Sequence, residues 1–446
     1  MNLKNSLLSG FQDFLPRRML QRNVLIATTR DCFEKFGFLP QDTPCLEYTE
    51  LLMGKYGEGE KLIYSFHDHG DRNISLRYDL TVPLYRIIKT YADEIVFPYR
   101  RYQIGLVWRA DRPGKGRYRE FMQMDADIID DNSALADTEM LLLANHLTKV
   151  LDVKAIIQFN SRPILDALVE TCGLDQSAGV NLIRIIDKFN KIGLLGVISE
   201  LNDAGFSSSV IDIINRYLKL GGSNNAVLQG LTTILGNSLA FRQGFDSLSK
   251  IVSTIEQSEG DVDNFRINPT IARGLNYYTG VIFETMLVDN PGFGSICSGG
   301  RYDHLIVHPD GRFLPSIGLS IGIDRLFAAM ESVNKAPLIE TTTQVFIVNF
   351  GENFIAEYLK LANELRHAGL AVEIFSKSAK IAKQLKVASN KNIPLVLLVG
   401  PDEISRSQVF LKDMRTGTQI NIGRNDVLQS ILKCLAEHNI DASKEV

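Results

Sequence analysis

The chain is short of cysteine, carries no large excess of either charge and has no long apolar run. Each shortage removes a class of protein. Five cysteines (Cys32, Cys45, Cys172, Cys297 and Cys434) lie far apart among 446 residues and form no C-x-x-C pair. An odd, scattered set speaks against a disulfide frame or a zinc ribbon and suits a reducing cytosol. His67 and His69 flank Asp68 at a spacing of two. No further His or Cys nearby completes a ligand set, so a solvated turn is a better reading than a metal site. The opening residues, MNLKNSLLSGFQDFLPRRM, contain no apolar core of signal-peptide length, and no later segment is long enough to span a membrane. The sequence therefore reads as cytoplasmic. A formal net charge of -4 gives no global basic signature. Any contact with nucleic acid must come from local Lys and Arg geometry.

What is present is an ordinary globular composition, 45% hydrophobic and 22% charged, on a chain long enough for two or three domains. Leu25, Ile26, Cys32, Phe33 and Phe36 recur at helical spacing, with Gly37 as a stop. Tyr102, Ile104, Leu106 and Trp108 alternate with Arg101, Gln103, Gly105 and Val107, as in a half-buried strand. Residues 120–129 alternate again, and the polar loop Ala110–Arg117 between the two runs completes an antiparallel hairpin. From about 161 to 258 the pattern is helical, which reads as an insertion between two sheet regions. Strand character returns at 281–286 and 317–321, and Gly322 opens a helix. Beyond a polar linker at 333–343, apolar runs at 345–350, 372–375, 395–399 and 409–411 predict a compact α/β domain with a mainly parallel sheet.

Two polar strings stand apart from this pattern: Arg273-Gly274-Leu275-Asn276-Tyr277-Tyr278-Thr279-Gly280 and Ser298-Gly299-Gly300-Arg301-Tyr302-Asp303. Each sets an arginine and tyrosine beside glycines, which allow close approach of backbone and ligand. Period two also places Arg77, Asp79 and Thr81 on one face of a predicted strand, 76–81. On the hairpin it groups Arg119, Phe121, Gln123, Asp125 and Asp127. A solvated sheet face is the plainer reading of any one of these residues. It weakens when several line up on strands that are apolar on the other side.

The two strings resemble the signature motifs of histidyl-tRNA synthetases, written R-G-L-D-Y-Y and G-G-R-Y-D. The resemblance extends to R-Y-D-L-T and to W-R-A-D-R-P-G-K-G-R-Y-R-E-F-M-Q-M-D-A-D, which looks like motif 2 of class II synthetases with its upstream partner. F-G-F-L-P-Q-D-T-P, with Pro44, resembles motif 1, and G-L-S-I-G-I-D-R-L resembles motif 3. Such enzymes join histidine to ATP, releasing pyrophosphate, and then pass the histidyl group to the 3′ end of tRNA(His). The implied architecture is an α+β catalytic domain on an antiparallel sheet (1–332, with the helical insertion), followed by a C-terminal α/β anticodon-binding domain (344–446).

The resemblance also implies roles. Arg109 and Arg273 match the arginines at the α-phosphate and the histidine carboxylate. Removing one such electrostatic contact typically costs about 3 kcal/mol of barrier. Asp111 matches the acid at the adenine amino group, and Arg117 and Arg325 match the clamps on the ATP phosphates. Asp79, Leu80, Thr81 and Gln123 match the surroundings of the histidine amino group. Asp127 and Tyr278 face the imidazole, with Tyr277 and Tyr302 close by. Mg²⁺ bridging the ATP phosphates and a homodimer follow from the family, and no protein metal site is expected. Lys377, Lys380, Lys383 and Lys386, with Lys391, sit in a segment free of acids and suit a phosphate-tracking patch for tRNA. Two positions depart from the pattern: Asn276 replaces a common aspartate, and the motif 2 loop reads R-P-G-K-G where R-P-Q is common. The rival reading is a synthetase-like regulatory subunit of ATP phosphoribosyltransferase. That protein typically lacks the anticodon module and tends to lose the phosphate-binding arginines.

Overall fold

Residues that alternate with period two over Tyr99–Trp108 and Glu120–Ile129 make a long antiparallel hairpin, in register from Tyr99 opposite Ile129 to Trp108 opposite Glu120. The computed structural model describes residues 7–54, 57–114, 116–258, 262–272, 277–377 and 379–442. In it the hairpin belongs to an eight-stranded sheet. The spatial order is Leu39–Pro40, Tyr99–Trp108, Glu120–Ile129, Ser316–Gly322, Ser295–Arg301, Val281–Leu287, Ala155–Ser161 and Phe265–Ile267. The six central strands pair antiparallel, and the two short edge strands run parallel to their neighbours.

One face of the sheet is covered by the helix Ala134–Val150, whose Ser133 hydroxyl accepts from the Ala136 N–H and so caps its first turn. Arg301, at the end of its strand, ties this helix down. Its Nη2 lies 2.6 Å from Asp137, and its Nη1 donates to the Asp131 carbonyl at 2.8 Å and to Asp303 at 3.2 Å. The stretch from residue 162 to 258 folds into six helices, from Arg162–Thr171 to Leu239–Ser258. Asp175, Ser207 and Ser223 each cap one of them through the side chain. Gly244 lets the last helix close on the first, since a Cβ there would lie 2.7 Å from Ile164.

Two expectations change in the eight-stranded sheet and the segment before it. The predicted strand 76–81 ends at Leu76, and a helix, Thr81–Tyr91, begins where alternation had been read. Asp79 accounts for the switch: its Oδ1 accepts from the N–H groups of Thr81 and Val82, which a helix start leaves unsatisfied. Pro83, two residues on, lacks an N–H and is tolerated in that first turn. On Tyr99–Trp108 the polar face is the more deeply buried one. Arg101 and Gln103 are fully covered, while Ile104 and Leu106 are half-buried.

The chain divides into two compact units, one built on Val24–Ala336 and the other from Phe14–Asn23 and Pro337 onward. The second unit carries a five-stranded sheet ordered Val372–Ile374, Val345–Ile347, Leu395–Leu398, Gln408–Asp413 and Gln419–Gly423. The first two pairings are parallel and the last two antiparallel, so the sheet is mixed where a mainly parallel one was expected. In Gln419–Gly423, Ile420 and Ile422 alternate with polar residues, but the strand is short and none of its residues is fully buried.

Arg301→Met would leave Asp137 as an uncompensated charge in a largely buried site. Urea denaturation should show a loss of about 3 kcal/mol or more. A loss below about 1 kcal/mol would place the pair among weak surface contacts.

Candidate active site

The strand Glu120–Ile129 sends Phe121, Gln123, Asp125 and Asp127 into a cavity of about 920 Å³. Asp127 is almost fully buried on its wall. One carboxylate oxygen is 2.7 Å from Nη2 of the fully buried Arg101, and the other accepts a short hydrogen bond from the Tyr302 hydroxyl. Gly318 faces Asp127 in register on the next strand, and a Cβ there would lie 2.1 Å from Asp127 Oδ1. Only glycine leaves room for the carboxylate. Burial pushes the Asp127 carboxyl up, against the pull of Arg101 and of the Tyr302 hydrogen bond. Burial and Asp127 together push Tyr302 well above its ordinary value, so the phenol stays a donor. Tyr277 and Tyr278 stack edge-on at 4.9 Å, with Tyr302 at 5.9 Å from Tyr277. All three line the cavity. Burial also holds Tyr278 in its protonated form, and Tyr277 bonds to it.

Beside this group, Gln123 is held from two sides. Its Nε2 lies 2.9 Å from both oxygens of Asp125, and its Oε1 accepts from Arg109 Nη2 at 3.3 Å. Arg109 is itself placed by the Tyr78 carbonyl, to which Nε donates at 3.0 Å, and by the Tyr78 ring, 4.4 Å from its Cζ. Asp79 and Thr81 reach the same cavity from the strand-to-helix turn.

Arginines stand on the remaining wall. Gly322 leads into the helix Ile323–Ser332, whose first-turn N–H groups favour an anion. Asp324 fixes that helix to the hairpin by accepting from the Met122 N–H at 3.0 Å. Arg325, in the first turn, donates to the carbonyls of Ser295 and Phe293 and rests on the Phe293 ring. Gly116, with φ +68°, brings the hairpin loop against this helix: a Cβ there would lie 3.4 Å from the Arg325 Cα. Arg117 and Asp111, from the same loop, line the cavity with Arg325.

The structure thus brings Asp79, Thr81, Arg109, Asp111, Arg117, Gln123, Asp127, Tyr277, Tyr278, Tyr302 and Arg325 to one hollow. Leu80 is not among its lining; its side chain is buried and its carbonyl accepts from Arg101 Nη2. Arg119 points elsewhere, donating to the carbonyls of Asp111 and Ser9. Arg273 and Asn276 lie outside the described residues. Sequence reasoning missed Arg101, whose signal was a guanidinium inside an otherwise strand-like run. It also missed Arg162, Asn181 and Arg184, which the insertion contributes to the cavity, because helical periodicity says nothing about tertiary neighbours. In the second unit Lys377, Lys380, Lys383 and Lys386 are all exposed, the last two on the helix Ile381–Asn390, while Lys391 pairs with Glu373 at 2.5 Å.

A six-stranded antiparallel core, a hairpin whose loop carries cations to the cavity, and an arginine at the start of the following helix define a class II aminoacyl-tRNA synthetase. The sequence model of histidyl-tRNA synthetases matches residues 10–326, and that of an anticodon-binding domain matches 344–434. The chain belongs to the histidyl-tRNA synthetase family. It is 39% identical over 413 residues to the histidine–tRNA ligase of Rhodopirellula baltica, covering 92% of this chain and 93% of that one. The crystal structure of histidyl-tRNA synthetase from Nostoc sp. PCC 7120 matches with a TM-score of 0.87 at 30% identity, covering 97% and 99% of the two chains. A Bacillus halodurans protein described as an ATP phosphoribosyltransferase regulatory subunit/histidyl-tRNA synthetase shares the fold, with a TM-score of 0.73 at 21% identity over 87% of this chain and 97% of its own.

Gly318→Ala should unseat the Asp127 carboxylate and cost about 1–3 kcal/mol, the usual penalty of overpacking. Thermal unfolding checks this, and an unchanged midpoint would mean that Asp127 does not occupy the seat beside Gly318.

Proposed function

We infer that this chain is a histidine–tRNA ligase. It joins L-histidine to ATP as histidyl-adenylate, with release of pyrophosphate, and then transfers the histidyl group to the 3′ end of tRNA(His). The single observation that carries the reading is one cavity in which a buried acid and phenols stand beside converging arginines. In the first step an oxygen of the histidine carboxylate bonds to the α-phosphorus while the bond to the bridging oxygen of pyrophosphate breaks. Two anions meet, so fixed positive charge is the main requirement. Arg109 supplies it at the α-phosphate, together with Arg273 at the carboxylate. Arg117 and Arg325 hold the outer phosphates, and Asp111 accepts from the adenine amino group.

At the other end Asp79, Thr81 and Gln123 hold the α-ammonium. A neutral imidazole presents one N–H donor and one acceptor nitrogen. Asp127 accepts from the first, and Tyr278, whose own hydroxyl stays protonated, donates to the second. Tyr277 and Tyr302 fix the geometry of both. A site of this kind can reject ligands that leave its groups unpaired by about 10⁴-fold. Mg²⁺ enters with ATP as part of the substrate. Among the described residues no group of three or more His, Cys, Asp or Glu is arranged to hold a metal by itself.

The reading carries a cytoplasmic location, and no helix among the described residues is long and apolar enough to cross a membrane. It also carries a homodimer, to which the exposed Leu39, Leu46, Tyr48 and Phe66 around motif 1 are suited. The exposed lysines of the second unit would track the tRNA backbone, leaving unpaired anticodon bases for specific recognition. The regulatory-subunit alternative is disfavoured by the anticodon-binding match and by Arg109, Arg117 and Arg325 in the cavity.

Exchange of labelled pyrophosphate into ATP should respond to histidine and to no other standard amino acid. Asp127→Asn should lower kcat/KM for histidine by about 10²-fold with KM for ATP within about twofold, because the imidazole is the substrate group that loses its charged acceptor; Arg101 loses its counter-charge too, so the thermal midpoint is recorded beside the kinetics. Equal losses for both substrates would remove the imidazole role, and absence of exchange in the parent protein would remove the ligase reading.

Neutralising Lys380 and Lys383 together should weaken tRNA charging severalfold through KM and leave exchange unchanged, with the effect shrinking as salt rises. Unaltered tRNA kinetics at low salt would make the lysine face ordinary solvated surface.

A further inference from the structure

We propose that Asp125, to which neither the sequence reading nor the family resemblance assigns a role, is a positioning residue for histidine binding. It locks the Gln123 amide so that its oxygen faces the α-ammonium. The proposal rests on the histidine-site reading above.

An ionised carboxylate only accepts hydrogen bonds. Both oxygens of Asp125 lie 2.9 Å from Gln123 Nε2, so the amide must turn its NH₂ toward Asp125. Its Oε1 then faces the other way, where Arg109 Nη2 donates to it at 3.3 Å. An oxygen with a second lone pair is thereby held at the cavity wall. Without Asp125 the amide could flip and present N–H groups to a cationic substrate. Gln123 is almost fully buried, and Asp125 is the group that takes its NH₂.

Asp125 is itself fixed. Ser320 lies opposite in register on one neighbouring strand and hydrogen-bonds to it, and Gln103 stands opposite on the other. Among the described residues, the charged and titratable groups that act on it are Asp127 on its own strand and Arg101 on the next, and it acts in turn on Cys297 and Tyr278. Two buried acids thus share one guanidinium. Burial, and then Asp127, push the Asp125 carboxyl up to about 7, while Arg101, Gln123 and Ser320 hold it down. An arriving ammonium favours the ionised form, so tight histidine binding depends on a proton leaving Asp125 near neutral pH.

The sign follows. Below pH 7 Asp125 is largely protonated in the free enzyme, and its advantage over an uncharged residue is small. Above pH 7 it is ionised and the advantage is full.

The test is pyrophosphate exchange by the full chain from pH 6 to 8.5, with thermal midpoints recorded for every variant. Asp125→Ala should raise KM for histidine about tenfold, the value of one charge-supported hydrogen bond, with KM for ATP within about twofold. Asp125→Asn keeps an acceptor and should recover most of that loss at pH 6. The ratio of parent to Asp125→Asn in kcat/KM for histidine should then climb through pH 7. Ionisation of free histidine cancels in that ratio. In a Gln123→Ala background, Asp125→Ala should have little further effect. An unchanged KM for histidine in Asp125→Ala, or additive losses in the double variant, would overturn the positioning role. If Gln123→Ala alone leaves histidine kinetics unchanged, the amino-group assignment fails instead, and Asp125 has nothing to position.

Discussion

A guanidinium buried against a carboxylate, Arg101 with Asp127, is the constraint that the catalytic unit is built around. Taking both ions out of water is expensive, and an apolar pair of equal volume would often serve stability as well. The surroundings therefore have to be specific. The Leu80 carbonyl takes a second bond from Arg101, Tyr302 donates to the free side of Asp127, and Gly318 leaves the space that the carboxylate fills. These partners come from the turn before the helix Thr81–Tyr91, the end of the glycine-rich strand, and the strand beside the hairpin. Remove the pair and those elements lose the reason for their residues at these positions. What the pair provides is a charged acceptor kept ready inside the protein, which suits recognition better than it suits stability.

The same accounting explains how the cavity divides its labour. Acids, an amide and phenols cluster around the hairpin strand Glu120–Ile129, where a cation or a polar ring would satisfy them. Arginines arrive from the loop, the end of the first hairpin strand and the start of a helix, where a phosphate would. In the proposed reaction one molecule of each kind meets at the boundary. Arg109 stands there, bonded to Gln123 on one side and stacked on Tyr78. The chemical step asks little of proton transfer and much of fixed charge, and the packing of rings and carbonyls around each guanidinium supplies that rigidity.

Much of this arrangement was legible in the residues. The hairpin, the helical insertion and the helix after Gly322 are each announced by a clean period or a stop signal. The site strings could be read because polar residues beside glycines have no place in a core. The rest was hidden for physical reasons. Asp79 looks like one more alternating strand residue until its carboxylate is seen satisfying the Thr81 and Val82 N–H groups, a local competition that periodicity does not weigh. Arg101 reads as solvent-facing because its partner lies 26 positions away, and charge pairing across strands leaves no mark on either strand alone. The side chains that the insertion adds to the cavity depend on how helices dock, and the last strand of the second unit offers only two alternating apolar residues, Ile420 and Ile422, too short a pattern to stand out.

The most direct test is a crystal structure with L-histidine and a non-reactive ATP analogue bound together. The account predicts an imidazole nitrogen within about 3 Å of the Asp127 carboxylate, with Tyr278 at the other ring nitrogen and the α-phosphate against Arg109. An imidazole lodged away from Asp127, or phosphates at the acidic end of the cavity, would contradict it.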